Sequence, residues 1–164
     1  VILNWGASTQ ERNAVLPCDA LPSVASLRAD RAISIGAPRS TVFAWLCQLR
    51  VAPYSYDLID NFGRRSPRTR DPELTQLHTG QRFMQIFTLH SFADEEHLTL
   101  QSGRVAVTYG VRDEAGGTRL HVRVRFGGTR LVGWALAAGD VVMMRKQLIN
   151  LRDLAEQEAA QTTS

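Results

Sequence analysis

The chain has 164 residues, 44% of them hydrophobic and 21% charged, with a net charge of +3. That is the composition of one soluble globular domain with a real core. No apolar run reaches the roughly 18 residues that a membrane span needs. The basic loop Arg64-Arg65-Ser-Pro-Arg68-Thr-Arg70 has no aromatic stacking ladder or recognised motif beside it, so no nucleic-acid partner is expected and a solvated loop is the competing reading to an anion site.

Residues 1–30 read as an irregular lead-in packed on the domain. Leu16-Pro17 and Leu21-Pro22 interrupt any long element there, and a short helical turn is expected around Thr9 to Ala14. Trp5 and Leu16 are the expected anchors. The N-terminus carries no basic-then-apolar leader pattern, which points to a cytoplasmic protein. The chain opens on Val1 rather than Met, so its true N-terminus stays open.

Arg31 to Ile35 alternates as a strand, and Pro38 ends it. Ser40 is placed to cap a helix in which Val42, Trp45, Leu46 and Leu49 form an apolar stripe. Pro53 closes that helix. A second short helix is expected from Ser55 to Asn61, followed by a polar loop from Arg64 to Pro72 and a helical turn between Pro72 and His78. Four strand signals follow: Arg82 to His90, His97 to Gln101, Arg104 to Arg112 and Thr118 to Phe126. Asp113 to Gly117 joins the last two as a hairpin turn. The clean alternation predicts an antiparallel sheet with one packed and one wet face. Arg104, Arg112, Arg119, Arg123 and Arg125 fall on the expected wet face. From about Leu131 to Gln161 the period becomes helical, with Val141, Met144, Leu148, Leu151 and Ala155 on one side. Residues 162–164 are left as a tail.

Several motifs occur in a recognisable order: Asn4-Trp5-Gly6-Ala7, Arg31-Ala-Ile-Ser-Ile-Gly-Ala-Pro38, Val42-Phe43-Ala44-Trp45-Leu46, Tyr54-Ser-Tyr-Asp57 and Asp60-Asn61. With the later strands and final helix they resemble the START-like, or SRPBCC, superfamily of helix-grip proteins, in its polyketide cyclase/dehydrase and lipid-transport branch. The resemblance implies an α+β fold over residues 31–161. A curved antiparallel sheet of about six to seven strands would wrap around a long C-terminal helix, with two short helices after the first strand. It also implies a cavity between sheet and helix for a hydrophobic or amphipathic small molecule such as a lipid, isoprenoid or polyketide. No catalytic residue carries over.

On this reading the ligand-binding candidates are Trp45, Tyr54, Tyr56, Asp57, Phe83, Phe87, Val107, Tyr109, Val124, Met144, Leu148 and Leu151. Solid core is the competing reading for the apolar members, and turn capping for Asp57 and Asn61. The alternative function is a cyclase or dehydratase in which Asp57 or Asp60 moves protons, helped by Tyr54, Tyr56 or Tyr109. His78, His90, His97 and His121 are scattered, and Cys18 and Cys47 have no metal-type spacing, so no metal site is expected. No cofactor motif is visible, and the oligomeric state is not legible.

Overall fold

The computed structural model describes residues 4–21, 27–54, 66–127 and 130–164, with side chains of the last helix described from residue 143 onward. A short helix α1 (Thr9–Asn13) is followed by strand β1 (Leu27–Ile35), helix α2 (Arg39–Cys47), strands β2 (Arg82–Phe83), β3 (Phe87–Ala93), β4 (His97–Ser102), β5 (Val105–Glu114) and β6 (Gly117–Phe126), and the long helix α3 (Arg130–Thr162). The six strands form one antiparallel sheet in the order β1-β6-β5-β4-β3-β2. With 33 residues, α3 is about 50 Å long. It packs against α2, β1 and β6. This is the α+β architecture expected from the sequence.

The inner face of the sheet, α2 and the described part of α3 share one apolar cluster. Ile33, Val107, Tyr109, Val122 and Val124 enter it from the sheet, and Met144, Leu148, Leu151, Leu154 and Ala155 from α3. Val42 to Cys47 are all buried, so α2 is embedded rather than amphipathic. Ser40 does not cap it. Pro38 holds the cap position without a side-chain bond, because its fixed φ of −58° already sets the first turn.

Arg82 to His90 is not one strand. Met84 to Ile86 turn the chain, with Met84 at φ 46° and Gln85 at φ 65°. No glycine marks this hairpin, so the sequence gives no turn signal. The left-handed pair is held by two short backbone bonds, Met84 N–H to Leu49 O at 2.7 Å and Ile86 N–H to Met84 O at 2.8 Å. β1 begins at Leu27, four residues before the expected start at Arg31. The expected helix from Ser55 to Asn61 lies outside the described residues.

Over β1, β6 and much of β5 the outer face of the sheet is covered, and this corrects the solvent-exposed face for Arg119, Arg123 and Arg125, while Arg112 and the β3 residues Thr88 and His90 stay exposed. Residues 4–21 lie across it. Asn4 Oδ1 accepts from Asp30 N–H, and Trp5 adds a parallel bridge to Arg31 at the β1 edge. Ser8 and Glu11 form a reciprocal capping box on α1. Glu11, 1% exposed, accepts from Arg112 and Arg119. Arg123, 0% exposed, donates to the carboxylates of Asp30 and Asp19 and to the carbonyls of Glu11, Arg12 and Ala14. These contacts use every N–H of the guanidinium. Strand alternation placed these arginines on one face correctly. The lead-in, which has no periodicity of its own, supplies the cover for that face. Arg104 and Arg112 remain exposed, as expected, and Arg104 alone of the five has no side-chain ion pair among the described residues.

Gly6 makes the close approach possible. Its φ is +69°, and a Cβ there would collide with the carbonyl oxygen of Ala32. Gly6→Ala should lower stability by about 1–3 kcal/mol in urea unfolding. The same substitution at Gly80, where a Cβ meets open space despite φ +90°, should cost less. Equal losses at both sites would remove the close-approach argument.

Candidate functional site

Trp45 on α2 and Leu154 on α3 both belong to the apolar cluster. Between α2, the C-terminal half of α3 and residues 68–70 lies a groove of about 630 Å³. Trp45 and Leu154 line it together with Arg68, Arg70, Glu158 and Gln161. A water-sized recess of about 20 Å³ sits beside it, lined by Tyr54, Ser66, Arg68, Asn150 and Leu154.

The groove wall is fixed by charge. Arg70 Nη2 donates to Glu158 Oε1 at 2.7 Å and its Nε to both carboxylate oxygens at 3.2 Å, while Trp45 Nε1 donates to Oε2 at 2.7 Å. The hydrogen bond from Arg70, opposed by partial burial, holds the Glu158 carboxyl below its usual range and keeps it ionised. Arg68 is exposed and has no ion pair among the described residues, so it is the cation available to a bound anion.

Tyr54 stands edge-on to Trp45, with centroids 6.1 Å apart. Its hydroxyl donates to Pro67 O at 2.6 Å and accepts from Gln48 Nε2 at 3.3 Å. Asn150 Nδ2 donates to its carbonyl at 2.8 Å. The backbone is left-handed here, φ 56°. Tyr54 therefore acts first as a structural post joining α2, α3 and residue 67.

Deeper in the same layer, Tyr109 on β5 donates to Gln147 Oε1 at 2.8 Å, while Gln147 Nε2 donates to Pro53 O at 2.6 Å and to Met84 Sδ at 3.4 Å. Both residues are at least 96% buried. This polar hub lies among apolar side chains seven residues, about 10 Å, along α3 from Leu154. Gln147 and Asn150 were not singled out in the sequence. Two amides within an apolar helical stripe are the only signal for them. Arg31 was also missed as an inner-face residue. It pairs with Val122 in the β1–β6 register, so it projects to the same side, and it is 1% exposed.

The structure brings Trp45, Tyr54, Phe83, Val107, Tyr109, Val124, Met144, Leu148 and Leu151 into one cluster, with Phe87 partly buried against it. Phe83, Tyr109 and Leu148 are 0% exposed, so no water-sized space touches them. Tyr56, Asp57, Asp60, Asn61 and Arg64 lie outside the described residues. Neither cysteine is a nucleophile candidate. Burial pushes the Cys47 thiol up to about 12 and raises that of Cys18 as well, so both stay protonated.

No protein-family model matches this chain, and no curated protein matches it. Solved structures do. A protein from Mesorhizobium loti superposes with a TM-score of 0.55 at 15% identity, over 80% of this chain and 98% of that one. A protein from Nitrosomonas europaea gives 0.54 at 15%, over 83% and 98%. CalC, a self-sacrificing resistance protein from Micromonospora echinospora, gives 0.51 at 16%, over 81% and 96%. The chain has the helix-grip fold. At these identities the likeness to solved helix-grip structures carries architecture and no activity. Among the described residues no helix is long and apolar enough to cross a membrane.

Proposed function

We propose that this helix-grip protein binds an amphipathic small molecule between sheet and α3, with a lipid, isoprenoid or polyketide-like body and an acidic end. One observation carries the reading: a mainly polar groove of about 630 Å³ in which Trp45 and Leu154, both members of the cluster between the layers, form the apolar part of the lining. That volume falls within the roughly 300–1,000 Å³ of small-molecule sites.

The acidic end would lie in the groove beside Arg68. The body would enter between Leu154, Leu151 and the inner sheet face, toward the Tyr109–Gln147 hub. Entry requires the closed packing at Leu148 and Phe83 to give way. Met84 and Met144, which flank the hub and the helix face, are the side chains best able to repack. Burial of ligand hydrocarbon would supply about 25 cal/mol per Å².

The test uses a fluorescent fatty acid and its neutral methyl ester. Both should bind the wild-type chain. Arg68→Glu, an exposed change that leaves the core untouched, should weaken the acid about fivefold and the ester less than twofold. Native mass spectrometry should show a small-molecule mass excess that disappears on denaturation. Failure of the wild-type chain to take up either probe, with no mass excess, would overturn the proposal. An equal loss for both probes would remove Arg68 from it.

A further inference from the structure

The hairpin turns divide by charge. β3 runs into the turn Asp94-Glu95-Glu96, and β5 ends on Asp113-Glu114 before its own turn. Both turns lie at one end of the sheet. The opposite end carries the turns Met84 to Ile86 and Gly103-Arg104, together with the end of β6 at Phe126. Among the described residues this end holds no acidic group in its turns. Arg82 and Arg104 are both exposed there, and neither has an ion pair among the described residues.

The same end exposes hydrocarbon. Ile86 is 70% exposed and Val51, beside the Leu49–Met84 bond, is 48% exposed. Met84 and Phe87 are partly exposed around them. The left-handed pair Met84-Gln85 places Ile86 at the tip of the hairpin, and the bond from Met84 N–H to Leu49 O braces that tip against the body. The two turns are two strand spacings apart, about 10 Å. A braced apolar tip flanked by arginines without ion pairs among the described residues, with the acidic hairpin turns of the sheet at the far end, is complementary to an anionic surface that also accepts hydrocarbon.

We propose that this end of the sheet docks peripherally on an anionic lipid bilayer, with Ile86 inserted at the level of the headgroups and Arg82 and Arg104 against lipid phosphates or carboxylates. The charge division fixes the orientation: the negative surface attracts this end and repels the acidic one. The apolar contact is small, so binding is reversible and depends on both contributions, falling with salt. The inference goes beyond the ligand proposal and does not require it, because the groove at Arg68 lies toward the other end of α3.

The test is flotation of the full chain with vesicles of phosphatidylcholine alone or mixed with phosphatidylserine. The wild-type chain should float with the mixed vesicles, stay behind with phosphatidylcholine alone, and be released by high salt. Arg82→Gln and Arg104→Gln should each reduce partitioning about fivefold. Ile86→Asp should abolish flotation. Val15→Asp, at an 88% exposed apolar residue on the lead-in, should leave it unchanged. All four changes are at exposed residues, and circular dichroism will confirm that each variant is folded. The proposal is overturned if the wild-type chain fails to float, floats equally on both vesicle types, or floats undiminished with Ile86→Asp. It is equally overturned if the wild-type chain sediments as a dimer that Ile86→Asp dissociates, since a second copy would then cover this end.

Discussion

Arg123→Ala should destabilise the protein by about 3–5 kcal/mol, the cost of leaving a buried charge without its partner. The stranded partner is Asp30, 1% exposed, with Arg123 Nε at 2.8 Å. His121 Nε2, at 2.9 Å, and Arg28, at 3.3 Å and half exposed, would be its remaining neighbours. The loss extends to the lead-in. The carbonyls of Glu11, Arg12 and Ala14 would lose their buried donor together. Urea unfolding should report the energy, and limited proteolysis should show faster cutting between α1 and β1 at low denaturant. Arg123→Met, which removes the charge and keeps the stem, should behave alike because Asp30 remains. A variant that also carries Asp30→Asn should recover part of the loss. If Arg123→Ala costs less than about 1 kcal/mol, the outer-face network is not what holds residues 4–21 in place.

Acid should produce the second large effect. The hydrogen bond from Arg119 is the main cause that lowers the Glu11 carboxyl from 4.5 to about 2, and burial only partly opposes it. A depressed carboxylate stabilises the folded chain fully above its unfolded value, and the contribution is lost as pH falls through the folded value. The window is therefore pH 4.5 down to pH 2. The shift corresponds to about 3 kcal/mol. Glu11→Gln should flatten this part of the stability–pH profile while keeping much of the capping geometry at Ser8. An unchanged acid limb in that variant would show that other carboxylates set it.

Much of the inner face could be read from the sequence because period alone reveals it. Val107, Tyr109, Val122 and Val124 alternate, and Met144, Leu148, Leu151 and Ala155 recur at helical spacing. One cluster unites them. The outer face was misread for an energetic reason. Arginine at every second position signals solvent unless a distant segment supplies carboxylates, and Glu11 and Asp19 come from a stretch with no periodicity of its own. The Met84 turn was hidden because tertiary bonds to Leu49 sustain a conformation that local preference opposes. The groove was invisible for a different reason. Trp45 was read as a cavity wall, but Arg70 and Glu158 meet across 88 residues, and no local pattern encodes such a pairing.

The lead-in also constrains the order in which the protein is made. Glu11 and Arg123 are 112 residues apart along the chain, yet each segment is completed by the other. A ribosome releases residues 4–21 long before β6 exists, so that segment must wait with its acidic groups solvated. Closure of so long a loop is entropically slow. The last step of assembly is then the fastening of a segment synthesised well before its partner strand. The chain should be most vulnerable to aggregation and proteolysis in that interval, with its outer sheet surface bare.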